Sequence, residues 1–323
     1  MVPVVPAGDQ EQASDGPRTR VQQPTILVFG LKPERLIDSE GRIDAFPEPP
    51  SQEQGEILVE AVRSGAEHGG HVVAIVPQWL KGDGLTRLEM VESALDDEVL
   101  TIHETPLPPL AATVLASLAS AVAPHVPSTG VLVSLLPDLE AELHVFTWLG
   151  SVSGLSVPAP SLSQHLASLT PGSAFGVSSY PEPSVHRLGR DGPGVPLPRI
   201  ERPSRLAVSD HGGDVGWVAT VNQALGGLPT RPVDPTPNGP SWWGTGKLVE
   251  SVAYPVDVAA LGAELANAAE PWTCRWCREL IARSPCPMCG HRGRPPRRRA
   301  AEPAQAAAEQ PMGPGRAQHG ART

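Results

Sequence analysis

The chain holds four cysteines, and all four sit near its C-terminus as two Cys-x-x-Cys pairs: Cys274 with Cys277, then Cys286 with Cys289. Two thiolates three positions apart with a turn between them grip one face of a tetrahedral ion, and a second pair completes the shell. The chemistry implied is zinc. A closed shell of four sulfurs leaves no position for water, so the ion would be structural. An iron centre takes the same ligands and stays open as an alternative. Two disulfides would need an oxidising compartment, and Met1 to Pro6 does not read as an export signal. A redox Cys-x-x-Cys should follow a strand and open a helix, whereas this pair occurs twice. His291 reads as a bystander.

Residues Trp272 to His291, with the knuckle Cys286-Pro287-Met288-Cys289-Gly290, resemble the zinc-ribbon or rubredoxin-like knuckle group. The resemblance implies Cys274, Cys277, Cys286 and Cys289 as ligands and Gly290 as the residue whose positive φ closes the turn. The eight-residue spacer is short for a ribbon hairpin, so a minimal module lacking a third strand is expected.

Beyond the module, Arg292-Gly293-Arg294-Pro295 matches the core of an AT-hook and is followed by Arg297, Arg298 and Arg299. Arginines so placed suit contact with nucleic acid or another acidic surface. Arg, Gly and Pro also arise together easily in a composition this biased.

Within the body, Ser209-Asp210-His211-Gly212-Gly213-Asp214 is the best candidate for chemistry, because it follows a predicted strand. His211 with Asp210 and Asp214 could bind a metal or supply a general base. The preferred reading is a polar turn in which Asp214 caps the next helix. Other patterns fail on inspection. Gly244-Thr245-Gly246-Lys247 lacks the glycine and hydroxyl that a P-loop needs at Ser241 and Leu248. Gly30-Leu31-Lys32 lacks dinucleotide glycines, and Gly150 to Gly154 centres on Val152 where a nucleophile elbow needs serine. His68 and His71 straddle a helix stop at Gly69-Gly70. Asp96-Asp97-Glu98 and Asp138-Glu140-Glu142 read as solvated faces. Trp242-Trp243 is either a contact surface or an anchor in the body's own core.

Buried-type strands are expected at 25–30, 71–76, 99–103 and 130–136, alternating with helices starting at Ser51 and spanning 85–95, 110–123 and 139–149. That alternation predicts an α/β fold with a doubly wound, mostly parallel sheet, a (β/α) barrel being the runner-up. Further strands are expected at 174–178, 205–209 and 248–253, with helices at 215–225 and 256–269. The domain reading is disorder over 1–24, an α/β domain over 25–270, the module over 271–291 and a disordered basic tail over 292–323.

Composition limits the partners. Residues 1–270 carry 15 Lys and Arg against 32 Asp and Glu, while 271–323 carry 10 against 3. The acidic body argues against broad nucleic-acid contact, and the basic tail offers a second kind of surface. The longest apolar run, Leu110 to Ala123, is short of a membrane span. The expectation is a cytoplasmic zinc-ribbon accessory protein and not an enzyme, with a body for a protein partner and a tail for nucleic acid or an acidic surface. The alternative is an enzyme acting on a small ligand at 209–214.

Overall fold

A computed structural model describes residues 23–31, 36–37, 41–46, 55–80, 83–95, 99–189 and 192–293. The expected N-terminal disorder up to residue 22, the start at Ser51, the acidic run 96–98 and the tail from 294 lie outside those residues.

The first half builds as its patterns predict. Strand β1 (Thr25–Phe29) is followed by β2 (Ile43–Phe46), helix α1 (Gly55–Gly69), β3 (Val72–Pro77), α2 (Asp83–Ala94) and β4 (Leu100–Thr105). The four strands pair in parallel in the order β2-β1-β3-β4. Alternation of side chains across a strand sorts this sheet's two faces. Leu27, Phe29, Val72, Ala74 and Val76 pack with Leu58 and Val62 of α1 and Leu88 and Val91 of α2. Ile26, Val28, Val73 and Ile75 face the other way, onto α3 (Pro109–Val122). All fourteen residues of α3 are buried.

The parallel alternation stops there. Residues 130–136, expected as a strand, lie in helix α4 (Thr129–Ala141), and the latter half of the expected helix 139–149 is strand β5 (His144–Leu149). The run from Gly130 to Leu136 is buried throughout, so it shows neither a helical nor a strand period. The Ser128 hydroxyl settles the start by accepting the Val131 N–H at 3.2 Å.

The remaining elements are α5 (Leu162–Ser168), β6 (Phe175–Tyr180), β7 (Ser184–Arg187), β8 (Ser204–Asp210), α6 (Val215–Ala224), β9 (Thr230–Val233), α7 (Gly239–Trp243), β10 (Leu248–Pro255), α8 (Val258–Ala269), β11 (Trp272–Thr273) and β12 (Leu280–Ile281). A second open sheet has the order β7-β6-β5-β10-β8-β9, antiparallel except between β8 and β9. The α/β class holds, but only the first sheet is parallel throughout, the second being parallel only between β8 and β9, and two open sheets exclude the barrel. The edge strands β7 and β9 escaped the sequence pattern because they lie in proline-rich stretches. Pro232 is tolerated in β9 because that strand has a partner on one side only.

Helix α3 lies between the sheets. Val145, Ala207, Val252 and Tyr254 of the second sheet share its core with α4 and α8. The outer face of that sheet, including Phe146, Trp148 and Val249, is covered by Trp217, Val218 and Val221 of α6 and by Val195.

Candidate functional site

The four cysteines converge. Their sulfurs all lie within 4.8 Å of one another, with Cys274 to Cys289 at 3.9 Å and Cys277 to Cys286 at 3.7 Å. Zn–S bonds of about 2.3 Å in a tetrahedron set sulfur–sulfur edges of about 3.8 Å, so the donor set fits zinc. The two knuckles repeat one turn. Arg278 N–H donates to the Cys274 carbonyl and Gly290 N–H to that of Cys286, with φ of 66° and 69° at the two donors. Glycine serves the second knuckle as expected, whereas the first holds an arginine in the left-handed region, a strain of roughly 1–2 kcal/mol. The His291 ring stacks on Trp276 at 6.1 Å and is not among the sulfur-bound positions.

The module is not an appendage. Cys274, Cys286, Ile281 and Met288 belong to the same buried core as α3 and α4. Ser128 Oγ donates to the Leu280 carbonyl at 2.9 Å, and Ala282 N–H donates to Ser134 Oγ at 2.9 Å. Arg283 pairs with Asp138 at 2.7 Å, and the Thr101 hydroxyl reaches Met288 Sδ at 3.5 Å. A Cβ at Gly130 would stand 2.5 Å from the Leu280 carbonyl oxygen, so glycine lets the module seat on α4.

The 209–214 segment divides. Asp210 Oδ1 accepts the N–H groups of Gly212 and Gly213, and Asp214 Oδ1 accepts those of Gly216 and Trp217, which makes Asp214 the N-cap of α6. His211 turns inward. Its Nε2 lies 3.3 Å from Thr236 Oγ1 and 3.9 Å from Glu250 Oε2, with its side chain 9% exposed.

Glu250 is the centre of this cluster, fully buried in mid-strand on β10. Its Oε1 accepts the Trp243 indole N–H at 2.9 Å and the Leu110 N–H at 3.4 Å, and its Oε2 is bonded to the Thr236 hydroxyl. Burial pushes the Glu250 carboxyl up, and these three donors pull only part of the way back. Burial likewise lowers His211, against the opposing charge of Asp210. Thr236 stands between the two, its hydroxyl donating to Glu250 Oε2 and lying 3.3 Å from His211 Nε2. Nothing in the sequence marked Glu250 or Thr236, since a lone acid in an apolar strand has no motif.

The same junction closes the seam between the sheets. Asn238 Nδ2 donates to the Gly30 carbonyl at 2.8 Å, and Trp242 packs on Trp79 at 6.0 Å. A Cβ at Gly239 would come within 3.1 Å of both Glu250 Oε2 and His211 Nε2. The tryptophan pair is thus an anchor, with Trp243 wholly buried. The cluster is filled by the protein's own side chains.

An open apolar surface lies on the other side of the second sheet. Val208, Val215, Val218, Ala219 and Pro232 line a groove of about 540 Å³ between α6 and the β8–β9 pair, with Asn222, Gln223 and Thr230 as its polar lining. No sequence motif pointed to it, because its residues come from three elements.

No protein-family model matches the sequence, and no curated protein matches it. Solved structures do resemble it. A DegV family protein of Corynebacterium glutamicum is similar at TM-score 0.51 and 13% identity, covering 72% of this chain and 97% of that one. A fatty-acid-binding DegV family protein of Thermus thermophilus is similar at TM-score 0.51 and 14% identity, covering 72% and 99%. At such identity the likeness is one of fold.

That fold overturns the expected zinc-ribbon accessory role. The bulk of the chain follows a DegV-type architecture, into whose core the cysteine module is packed. The nucleic-acid role falls with it: Arg292 is exposed, while Arg294, Arg297, Arg298 and Arg299 lie outside the described residues. No helix among the described residues is long and apolar enough to cross a membrane.

Proposed function

We propose that this chain is a binding protein and not a catalyst, and that its ligand is a fatty acid or a similar single-chain amphiphile. The observation that carries the reading is the fold shared with the fatty-acid-binding Thermus thermophilus protein. The groove along α6 supports it, being apolar and within the roughly 300–1,000 Å³ of small-molecule sites. The competing enzyme reading at 209–214 rests on His211, which is spent on Thr236 and Glu250.

The test is displacement of a fluorescent fatty acid from purified protein by unlabelled palmitate or oleate, repeated with Ala219→Trp. Ala219 is exposed and lines the groove, so an indole there fills the groove without entering the core. Saturable binding that weakens at least tenfold in the variant is expected. Binding unchanged in the variant moves the ligand out of the groove, and absence of binding removes the reading.

We further propose that Cys274, Cys277, Cys286 and Cys289 hold one structural Zn²⁺, supported by the sulfur spacing and the repeated knuckle turn. Thiolates kept for a metal suit a reducing compartment, which supports a cytoplasmic location.

A further inference from the structure

The second sheet carries a cleft at the edge opposite the α6 groove, over β5, β6 and β7. Register builds its floor. Phe146 of β5 stands opposite Ser178 of β6, which stands opposite Ser184 of β7. His144 lies two residues from Phe146 along β5 and so shares its face, while Tyr180 ends β6. Residues 193–200 cross this face as a strap. The Trp217 indole N–H donates to the Pro193 carbonyl at 2.8 Å, and Val195 presses on Gly176, where a Cβ would come within 2.7 Å of the Val195 Cγ1. Farther along the strap, Pro196, Leu197 and Pro198 form the opposing wall of a cleft of about 320 Å³, and the turn Pro181-Glu182-Pro183 completes the lining.

The lining is rich in acceptors and poor in donors. Four of its eleven residues are prolines, which bring carbonyls but no N–H. Among the described residues, His144 Nδ1 and Ser184 Oγ are buried without a hydrogen-bond partner. Burial lowers the His144 ring below its ordinary range, so at neutral pH it is uncharged and offers one accepting nitrogen. Burial, and then the charge of Glu140, pushes the Tyr180 phenol up, so it stays a neutral hydroxyl. The one charged side chain in the lining is the carboxylate of Glu182. Arg199, next along the strap, is exposed and takes no part in the lining, and Arg202 is held by Glu142 and Glu264 at 3.1 and 2.7 Å. An anion finds no counter-charge here. A cation with several N–H groups finds a carboxylate and buried acceptors, and an apolar body finds Phe146, Leu197 and the proline rings. The volume equals that of about ten waters, which limits the ligand to roughly as many non-hydrogen atoms.

We propose that this cleft binds a small primary amine in its ammonium form, with the ammonium among Glu182, His144 and Ser184 and the apolar body against Phe146 and Leu197. The cleft shares no residue with the groove along α6, so the amine site stands whether or not that groove takes a fatty acid. The experiment is calorimetric titration of the full chain with phenethylamine, 2-phenylethanol and phenylacetate, which share one body and differ at the polar end. Phenethylamine should bind saturably, one per chain, and about tenfold tighter than either of the others. Ser184→Val removes a buried acceptor and should weaken the amine about fivefold. Glu182→Gln, at an exposed turn position, should weaken it about three- to fivefold and covers the case in which Ser184→Val fails to fold. The alcohol or the carboxylate binding as tightly as the amine overturns the proposal, as does amine binding that neither variant changes. Absence of saturable amine binding overturns it as well.

Discussion

The indole N–H of Trp243 donates to Glu250 Oε1 at 2.9 Å, both side chains being wholly buried. A carboxyl group in mid-strand is thereby tied to α7, while its partner bond to Leu110 N–H ties it to the start of α3. One acid joins the two halves of the fold at their seam. Trp243→Phe keeps an aromatic ring but removes the donor and leaves space beside a buried acceptor, which should cost at least about 1–3 kcal/mol in urea unfolding. A neutral result would mean that Glu250 holds the seam without it.

Burial makes the ionised form of Glu250 costly. Its folded-state value is raised above the ordinary 4.5, so its stabilising contribution is full below that value and is lost as pH rises through the raised one. Glu250→Gln imitates the protonated form. Its melting temperature relative to wild type should increase from pH 5 to pH 8. A variant that loses ground as pH rises would show that the fold requires the ionised carboxylate.

Asp214 supplies the cap of α6 through two N–H bonds. Asp214→Ala should cost about 1 kcal/mol and Asp214→Asn much less, read from chemical denaturation. Equal loss in both would assign the effect to charge instead of the cap.

The cap was legible because Asp before an apolar helical run has a local physical reason to be there. Two of the parallel strands were legible for the same kind of reason, since β1 and β3 are apolar runs buried along their length. What the sequence concealed was non-local. Gly130 to Leu136 is buried on every side and so has no period to read. Glu250, Thr236 and His211 stand on different elements, and only pairing of β8 with β10 brings Ser209 opposite Glu250 and His211 close to it. The cysteine spacing was plain, yet nothing in it announced Ser128 and Ser134 as the hydroxyls that seat the module on α4.

Because the module shares its core with α3 and α4, metal should stabilise the whole body. Elemental analysis should give about one equivalent of zinc per chain. Chelation should lower the global melting temperature as well as alter the fluorescence of Trp272 and Trp276. A chelated protein that melts unchanged would make the module an independent appendage, and protein free of metal with paired disulfides would remove the zinc centre.

The central claim is a bound acyl ligand, and the most direct measurement is mass spectrometry of the intact protein purified without detergent, followed by solvent extraction. The account predicts a mass excess released by denaturation and matched by about one fatty acid per chain in the extract. A native mass equal to that of the polypeptide and its metal, with an extract empty of fatty acids and no uptake when palmitate or oleate is added, would contradict it.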